Sequence, residues 1–251
     1  MQRLGIAVVV SVAVFALVGS ACGLGEEEGA TEDVVSAIPW AVGEECSYSV
    51  LDEDGEPMGT GVLKIEEEDG RLRLVQHYQN PEFDDRSVVL VDGDTLKPVS
   101  GERLISGEDG ELRVEVRYSS GMAEVERIAT EDGKEEQRTD ELEVPEHAYD
   151  WASSLFLWRS IPLRQDYEAS YFNMATTVVG KPQRIRVTLR VAGQETVEVP
   201  AGIFQTWRLE IRSSGVEQMA WYGTGESRPL VKYDNGEVVF LLESVKEGEE
   251  G

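Results

Sequence analysis

Cysteine and histidine are scarce in this sequence, and their scarcity excludes several classes of protein. The 251 residues include two cysteines, Cys22 and Cys46, and two histidines, His77 and His147. Neither histidine belongs to a His-Glu-x-x-His motif, and there is no Gly-x-Ser-x-Gly nucleophile motif. A two-histidine metal site would need both side chains to converge, and nothing in their spacing indicates that they do. The sequence therefore predicts no enzyme activity, no cofactor and no metal site.

Basic residues are also scarce, which excludes nucleic acid as a partner. The chain has 23 Lys and Arg against 49 Asp and Glu, for a net charge of −26. A field of this sign repels phosphate backbones and anionic lipid surfaces. Residues 22–148 hold 35 acidic and 11 basic side chains, whereas residues 149–251 hold 14 and 11. The acidic half is either a solvated surface or a contact for a basic partner, and the sequence leaves both interpretations open.

Long apolar runs are absent except at the start of the chain. Arg3 precedes an uncharged apolar run over residues 4–18, which ends in three small residues followed by Cys22. A charged start, a short apolar run and small residues are typical of a secretory signal, and the run is short for a membrane span. Cysteine after small residues resembles a bacterial lipobox, although glycine stands where leucine is usual; an ordinary cleavage site is the alternative. We expect residues 1–21 to be a signal peptide and Cys22 to carry acyl chains such as palmitate.

The expected anchor sets the location and the domain organisation. More than one acyl chain gives stable attachment, which predicts an extracytoplasmic protein on the cell membrane or outer membrane, with the membrane as a partner. Residues 22–43 are predicted to be a flexible acidic tether, residues 44–246 a single β-rich domain and residues 247–251 an acidic tail. If Cys22 is acylated, Cys46 has no intrachain disulfide partner, and we expect it to be a buried small apolar residue.

Acidic-glycine turns divide the predicted domain into short strands. Asp-Gly and Asn-Gly steps are typical of two-residue hairpin loops, and here they end at Gly55, Gly70, Gly93, Gly110, Gly133 and Gly236. Between these turns polar and apolar residues alternate, which predicts antiparallel sheets with one buried face. The strands are expected near residues 46–51, 59–66, 71–79, 87–91, 96–104, 112–118, 123–129, 137–143, 168–179, 184–191, 195–199, 207–212, 218–222, 229–234 and 238–245.

One segment departs from the strand pattern. Asp150 is a plausible N-cap, and Trp151, Leu155 and Trp158 follow at the i, i+4, i+7 spacing of a helical stripe. We predict one short helix near residues 150–159, lying over an end or the open face of the sheet. It is either a lid over a cavity or a plug of the core.

Two charged clusters have a structural explanation that competes with ligand binding. The acidic run over residues 52–56 suggests a calcium loop, but its glycine comes fourth instead of sixth and no closing glutamate follows, so we expect a hairpin turn. Arginines that share strand faces could bind an anion, but pairing with glutamates across the sheet is the simpler expectation. These arginines are Arg184, Arg186, Arg190, Arg208 and Arg212.

The C-terminal half carries a resemblance to a known family. Residues 149–163, a Val-Pro-Ala-Gly-x-Phe element at residues 199–204, the Trp-Tyr pair at 221–222 and residues 229–233 occur in that order. This order is similar to the tail of a bacterial envelope protein family assigned to a domain of unknown function. The resemblance implies an antiparallel sheet curled into a barrel or half-barrel, and it implies no catalytic residues.

Two functional hypotheses follow. The first is an anchored, non-enzymatic interaction or scaffold module whose partner is an envelope protein. The second is a carrier or sensor of an apolar, lipid-like small molecule held between the curled sheet and the helix. The second rests on an excess of aromatic residues and on a fold-level analogy with periplasmic lipoprotein carriers. Its candidate ligand-binding residues are Trp151, Leu155, Trp158, Trp207 and Trp221.

Overall fold

The domain is built almost entirely of β-strands, as the alternating pattern predicted. The structure is a computed structural model that describes residues 30–108 and 110–248. The strands are β1 (Glu45–Asp52), β2 (Pro57–Glu68), β3 (Arg71–Gln79), β4 (Phe83–Val91), β5 (Pro98–Gly107), β6 (Gly110–Ser119), β7 (Met122–Glu131), β8 (Lys134–Glu143), β9 (Ala148–Asp150), β10 (Glu168–Ala175), β11 (Gln183–Val199), β12 (Gly202–Ser213), β13 (Val216–Gly223), β14 (Leu230–Asp234) and β15 (Val238–Lys246). A 3₁₀ helix (Trp151–Ser153) runs directly into α1 (Ser154–Leu157). The signal peptide, Cys22 and the last three residues of the acidic tail lie outside the described residues.

All fifteen strands belong to one sheet. Its order is β8-β7-β6-β5-β4-β3-β2-β1-β15-β14-β13-β12-β11-β10-β9, so the first strand pairs with the last. Every pair is antiparallel except β9–β10, which is parallel. The sheet curls until β9 lies against β5 and the 3₁₀ helix against β4, but no backbone ladder joins β8 to β9. The prediction of a curled, all-β barrel or half-barrel with one short helix is confirmed, and the sheet is not closed.

The antiparallel order gives the sheet two distinct ends. Successive turns lie at alternate ends, so the turns after β1, β3, β5, β7, β10, β12 and β14 share one end, which we call the far end. The described N-terminal segment, residues 30–42, crosses the other end, and we call this segment the strap and its end the strap end. None of the helices in the described part of the chain has the length and apolar character of a membrane span.

The strap is held on the domain by backbone hydrogen bonds and buried side chains. The amide of Glu32 donates to the carbonyl of Ser170, and the amide of Ser36 donates to the carbonyl of Ser160, each at 2.9 Å. Val34 and Trp40 are buried. The flexible tether predicted over residues 22–43 was therefore too long, because its second half packs against the core.

The core fills the space enclosed by the curled sheet. The main apolar cluster joins side chains from β1–β4 and β10–β15, and α1 lies among these side chains. Tyrosine hydroxyls link the sheet and α1 because buried phenols need polar partners. Tyr222 donates to the carbonyl of Leu155 at 2.8 Å, and Trp158 donates from Nε1 to the hydroxyl of Tyr171 at 2.8 Å. The helix is therefore a plug of the core, the second of the two expected roles.

Two strands differ from the sequence prediction. The runs predicted at residues 184–191 and 195–199 form one long strand, β11, with a register shift at Gly193. The parallel strand β9 was not predicted, since three residues carry too little periodicity to be recognised. Val199 ends β11 and Gly202, with φ of 130°, opens β12, so the Pro-Ala-Gly element is a structural corner.

Candidate functional site

Three of the predicted ligand-binding residues lie inside the core. Leu155 lies in α1, and Trp158 is the C-terminal cap of this helix. Both side chains belong to the main apolar cluster. The Trp158 ring centre is 6.2 Å from that of Tyr233, and the side chain is completely buried. Trp151 is buried in a separate small cluster with Ala175, Val178 and Ile185. Their surroundings are packed protein atoms, which is the environment of structural residues.

The other two predicted tryptophans lie elsewhere on the sheet. Trp207 is half-buried and packs against the main core. Ala220 and Tyr222 lie on one face of β13, and Trp221 lies on the other. There its Nε1 donates to the carboxylate of Glu195. The Lys232 ammonium lies 4.7 Å from the centre of the Trp221 ring. The five residues therefore do not line one common cavity.

A small cleft lies where the carrier hypothesis places its ligand, between the sheet and the 3₁₀ helix. Trp151, Leu63, Tyr78 and Phe240 supply apolar walls, and Arg103 with Asp85 contributes a polar one. Its volume is about 40 Å³. Ligand pockets commonly measure about 300–1,000 Å³, and one water occupies about 30 Å³ of liquid. The cleft has room for one or two waters and no acyl chain.

A buried ion pair forms the polar wall of this cleft. Arg103 Nε donates to Asp85 Oδ1 at 2.8 Å and its Nη2 donates to Oδ2 at 2.6 Å. Both side chains are more than nine-tenths buried, and a third nitrogen, Nη1, donates to the carbonyl of Thr177 at 3.0 Å. The guanidinium carbon also lies 5.6 Å from the Trp151 ring centre. Arg103 thus joins β4 and β5 to the segment that follows β10.

A buried carboxylate makes a second junction between the same two parts of the sheet. Asp150 accepts a hydrogen bond from the Tyr118 hydroxyl of β6, one from Thr176 Oγ1 at 3.0 Å and one from the Ala152 amide at 2.8 Å. Burial raises the pKa of Asp150 above its usual value, and these hydrogen bonds offset part of the rise. Burial, together with the charge of Asp150, raises the pKa of Tyr118 well above its usual value. The expected N-cap role of Asp150 is confirmed by its bond to Ala152.

We call this set of contacts the polar seam. On one side are Gln76, Arg103, Tyr118 and Arg127 from strands β3, β5, β6 and β7. Gln76 donates to the carbonyl of Ala152, and Arg127 donates to the carbonyl of Gly180. The other side consists of Asp150, Ala152 of the 3₁₀ helix and the segment after β10. The polar seam therefore joins the two parts of the sheet through side chains, where no backbone ladder connects β8 to β9.

The strap has its own charged attachment point. Asp33 accepts hydrogen bonds from Lys97 and, at 3.2 Å, from the Tyr149 hydroxyl, and its carboxylate is 3.3 Å from His147 Nδ1. Burial raises the pKa of Asp33, but hydrogen bonds from Lys97, His147 and Tyr149 outweigh it and leave the pKa below its usual value. The Lys97 ammonium also lies 4.2 Å from the Tyr149 ring centre.

A buried ion pair closes the strap end. Arg159 donates from Nη1 to Glu44 Oε1 at 2.5 Å and from Nη2 to Oε2 at 2.8 Å, with both side chains almost fully buried. The Cys46 thiol is 3.7 Å from Glu44 Oε1. Burial and the charge of Glu44 raise the pKa of Cys46 to about 12. The expectation that Cys46 is buried is confirmed.

The remaining charged candidates have structural roles. At residues 52–56, Asp52 Oδ1 accepts the amides of Asp54 and Glu56, which forms the expected hairpin turn. Three of the arginines pair across the sheet as expected, Arg190 with Glu210 at 3.6 Å, Arg208 with Glu195 at 3.6 Å and Arg212 with Glu217 at 2.9 Å. Across residues 30–108 and 110–248, no three His, Cys, Asp or Glu side chains are arranged to hold a metal ion. The two histidines have different neighbours: His77 of β3 pairs with Asp84 at 3.0 Å, and His147, which precedes β9, lies beside Asp33 of the strap.

Comparison with known proteins supports the fold. The family model described as "Protein of unknown function (DUF3108)" matches residues 45–242, which confirms the expected likeness to a domain-of-unknown-function family. The β-barrel-like protein of domain of unknown function DUF1849 from Brucella abortus aligns with a TM-score of 0.53 at 13% identity, over 84% of this chain and 99% of that one. At this identity the likeness concerns the fold alone.

Two other solved structures align less well. A candidate exported protein with a YmcC-like fold from Bacteroides fragilis has a TM-score of 0.30 at 11% identity, over 85% of this chain and 100% of that one. A candidate lipoprotein from Parabacteroides distasonis has a TM-score of 0.33 at 11% identity, over 86% and 100%. No curated protein matches the sequence.

Proposed function

Because this chain belongs to the family "Protein of unknown function (DUF3108)", its role must be inferred from its own residues, and we propose that it is a lipid-anchored, extracytoplasmic, non-enzymatic interaction module. The sequence of residues 1–22 supports the anchor. The observation that carries the proposal further is the strap, which fixes where the chain leaves the domain. The strap end is the end nearest the anchor.

The strap limits how far the domain can move from the membrane. Ala30 is the first described residue, and eight peptide units separate it from Cys22. Eight fully extended units span at most about 28 Å. A lipid on Cys22 would therefore keep the strap end close to the headgroups, and the far end would face away from the membrane.

The filled interior favours an interaction module over a carrier. Leu155 and Trp158 occupy the space where a lipid would lie, and the cleft beside Trp151 measures about 40 Å³. A ligand pocket needs several times that volume. Binding would therefore use the outer surface, where the negative charge of the chain favours a partner with a basic contact surface. The far end presents exposed carboxylates from the turn after β1, among them Glu53, Asp54 and Glu56.

The anchor can be tested by intact-mass analysis of the chain extracted from bacterial membranes. The expected mass is that of residues 22–251 plus acyl groups, and Cys22→Ala should release the protein from the membrane fraction. A membrane-extracted chain that begins at an unmodified residue would overturn the anchor.

The charged contact can be tested with a defined cationic probe, a decalysine peptide, and two matched triple variants. Glu53→Gln/Asp54→Asn/Glu56→Gln neutralises three exposed carboxylates at the far end, and Glu67→Gln/Glu68→Gln/Asp69→Asn neutralises three at the strap end. On anchored protein in neutral vesicles, the first variant should weaken salt-sensitive peptide binding more than the second. Equal losses, or binding that is indifferent to ionic strength, would contradict a far-end contact.

A further inference from the structure

In the part of the chain that the structure describes, the outermost strand β8 has one edge without a partner strand. It pairs with β7 on one side, and it is the last strand of the sheet on the other. Residues 134–139 are all exposed, whereas the groove beside residues 140–143 is walled by the turn before β11. Half of the backbone N–H and C=O groups of an edge strand point outward, and they can form a ladder with another strand.

We propose that two copies of this chain pair through β8, antiparallel, about a two-fold axis at Gln137. In this register Lys134 faces Asp140 of the second copy, and Glu136 faces Arg138 of the second copy. The symmetry repeats both contacts, so four opposite-charge pairs lie on one face of the joined strands. On the other face Glu135 meets Thr139 and Gln137 meets itself. No like charges are opposed within residues 134–140.

Neighbouring registers are less favourable, which makes the pattern specific. A two-fold axis at Glu136 opposes Glu136 to itself and Lys134 to Arg138. An axis at Arg138 opposes Arg138 to itself and Glu136 to Asp140. Shifts by one residue move each strand's side chains to the wrong face of the sheet. The charges of Lys134, Glu136, Arg138 and Asp140 are therefore complementary about one residue, Gln137.

Asp140 already pairs with Arg127 of its own chain at 3.4 Å, whereas the contacts of Arg138 are consistent with an available partner site. Across the β7–β8 pair Arg138 lies directly opposite Arg127, a like-charge neighbour. Its ion pair in the chain is with Glu136 on the same strand, at 2.6 Å, and both side chains are about two-thirds exposed. A second copy would supply another glutamate to Arg138. Charged edge strands generally prevent pairing with other chains, but the mixed signs on β8 favour the axis at Gln137 over the axes at Glu136 and Arg138.

The pairing should be weak in solution and stronger on a membrane. Seven residues of one strand bury less than the roughly 1,200 Å² of a standard interface, so we expect a dissociation constant on the order of 10–100 μM. If the proposed lipid anchor is present, confinement to a surface raises the effective concentration of the chain. The solution experiment below does not depend on the anchor, so the two proposals fail separately.

Sedimentation equilibrium of the full chain carrying Cys22→Ser tests the proposal by charge reversal. Arg138→Glu and Glu136→Arg should each weaken self-association by about tenfold or more, because each opposes like charges twice in the dimer. The double variant Glu136→Arg/Arg138→Glu restores opposite charges across the axis and should return within about twofold of the unmodified chain. Arg212→Glu is the matched control, since Arg212 has the same exposure as Arg138, pairs with one glutamate and lies on β12.

Each outcome decides the question. Loss in both single variants, recovery in the double variant and no change in Arg212→Glu would support pairing at Gln137. A chain that stays monomeric up to about 0.5 mM, well above the expected constant, would overturn it. A dissociation constant that the single variants leave unchanged, or that the double variant fails to restore, would also overturn it. Unchanged thermal unfolding of the variants shows that the fold is intact.

Discussion

Removing one hydroxyl from the polar seam tests whether side chains hold the curled sheet together. The Tyr118 hydroxyl donates to Asp150 and lies 3.2 Å from Thr176 Oγ1. In Tyr118→Phe the ring remains, while Asp150, which is completely buried, loses one of its three donors. A hydrogen bond to a charged group contributes about 1.5–3 kcal/mol, and a buried carboxylate cannot recover it from water. We expect the free energy of unfolding at pH 8 to fall by about 2 kcal/mol.

The pH dependence of this loss follows from the raised pKa of Asp150. In the unfolded chain Asp150 titrates at its usual value, whereas burial raises its pKa in the fold. Between these two values the folded state binds more protons, so the contribution of Asp150 to stability falls as pH rises through this window. Losing the Tyr118 donor raises the folded pKa further. The deficit of Tyr118→Phe should therefore be largest above the window and should shrink as the pH is lowered through it.

Urea unfolding followed by tryptophan fluorescence, at several pH values between about 4 and 8, measures both effects. Tyr167→Phe is the control, because Tyr167 is a half-buried tyrosine outside the polar seam. A loss below about 0.5 kcal/mol at pH 8 would show that the bond to Asp150 is worth little. A deficit that grows as the pH is lowered would refute the argument from the pKa of Asp150.

Three further predictions concern the core and the strap end. Trp158→Ala should cost about 3–5 kcal/mol in urea unfolding, because it leaves a large cavity in the core and Trp158 is completely buried. Arg159→Met should also cost about 3–5 kcal/mol because Glu44 remains buried without its cation, and Glu44→Leu/Arg159→Met should recover most of that loss. Cys46, with its pKa raised to about 12, should resist a thiol reagent at pH 8 in the folded Cys22→Ser chain and react in urea.

Local features of the fold were predictable from the sequence because they depend on neighbouring residues. Two-residue alternation and acidic-glycine steps located most strands to within a few residues, and residues 71–79 match β3 at both ends. Asp150 and the three-residue stripe beside it identified the one helical segment. The helix is shorter than predicted, since the regular turn ends at Leu157.

Long-range features were not predictable from periodicity. The pairing of β1 with β15 joins residues nearly 200 positions apart, and no local pattern encodes it. The polar composition of residues 23–33 predicted a tether, but residues 34–42 are largely apolar, and Val34 and Trp40 become buried. The aromatic excess was correctly located but ambiguous, because tryptophans that line a cavity and tryptophans that fill a core have the same spacing.

The polar seam left a signal in the sequence that alternation alone could have revealed. Arg103 occupies an inward position of β5, two residues after buried Gly101 and two before buried Ile105, and Asp85 occupies an inward position of β4. A charge at an inward position of a buried strand needs an opposite charge nearby, and adjacent strands supply one here.

Buried charge is concentrated where the two parts of the curled sheet meet. Within the described residues, β10–β15 contribute no charged side chain to the buried set, whereas β4 and β5 contribute Asp85 and Arg103 and β9 contributes Asp150. Towards the β8 edge, β6 and β7 bury a second apolar cluster of Val114, Val116, Ala123 and Val125, while Arg103 and Arg127 contact the segment after β10. The polar seam connects the two parts of the sheet in place of a backbone ladder between β8 and β9, and within residues 30–108 and 110–248 no strand pairs with the outer edge of β8.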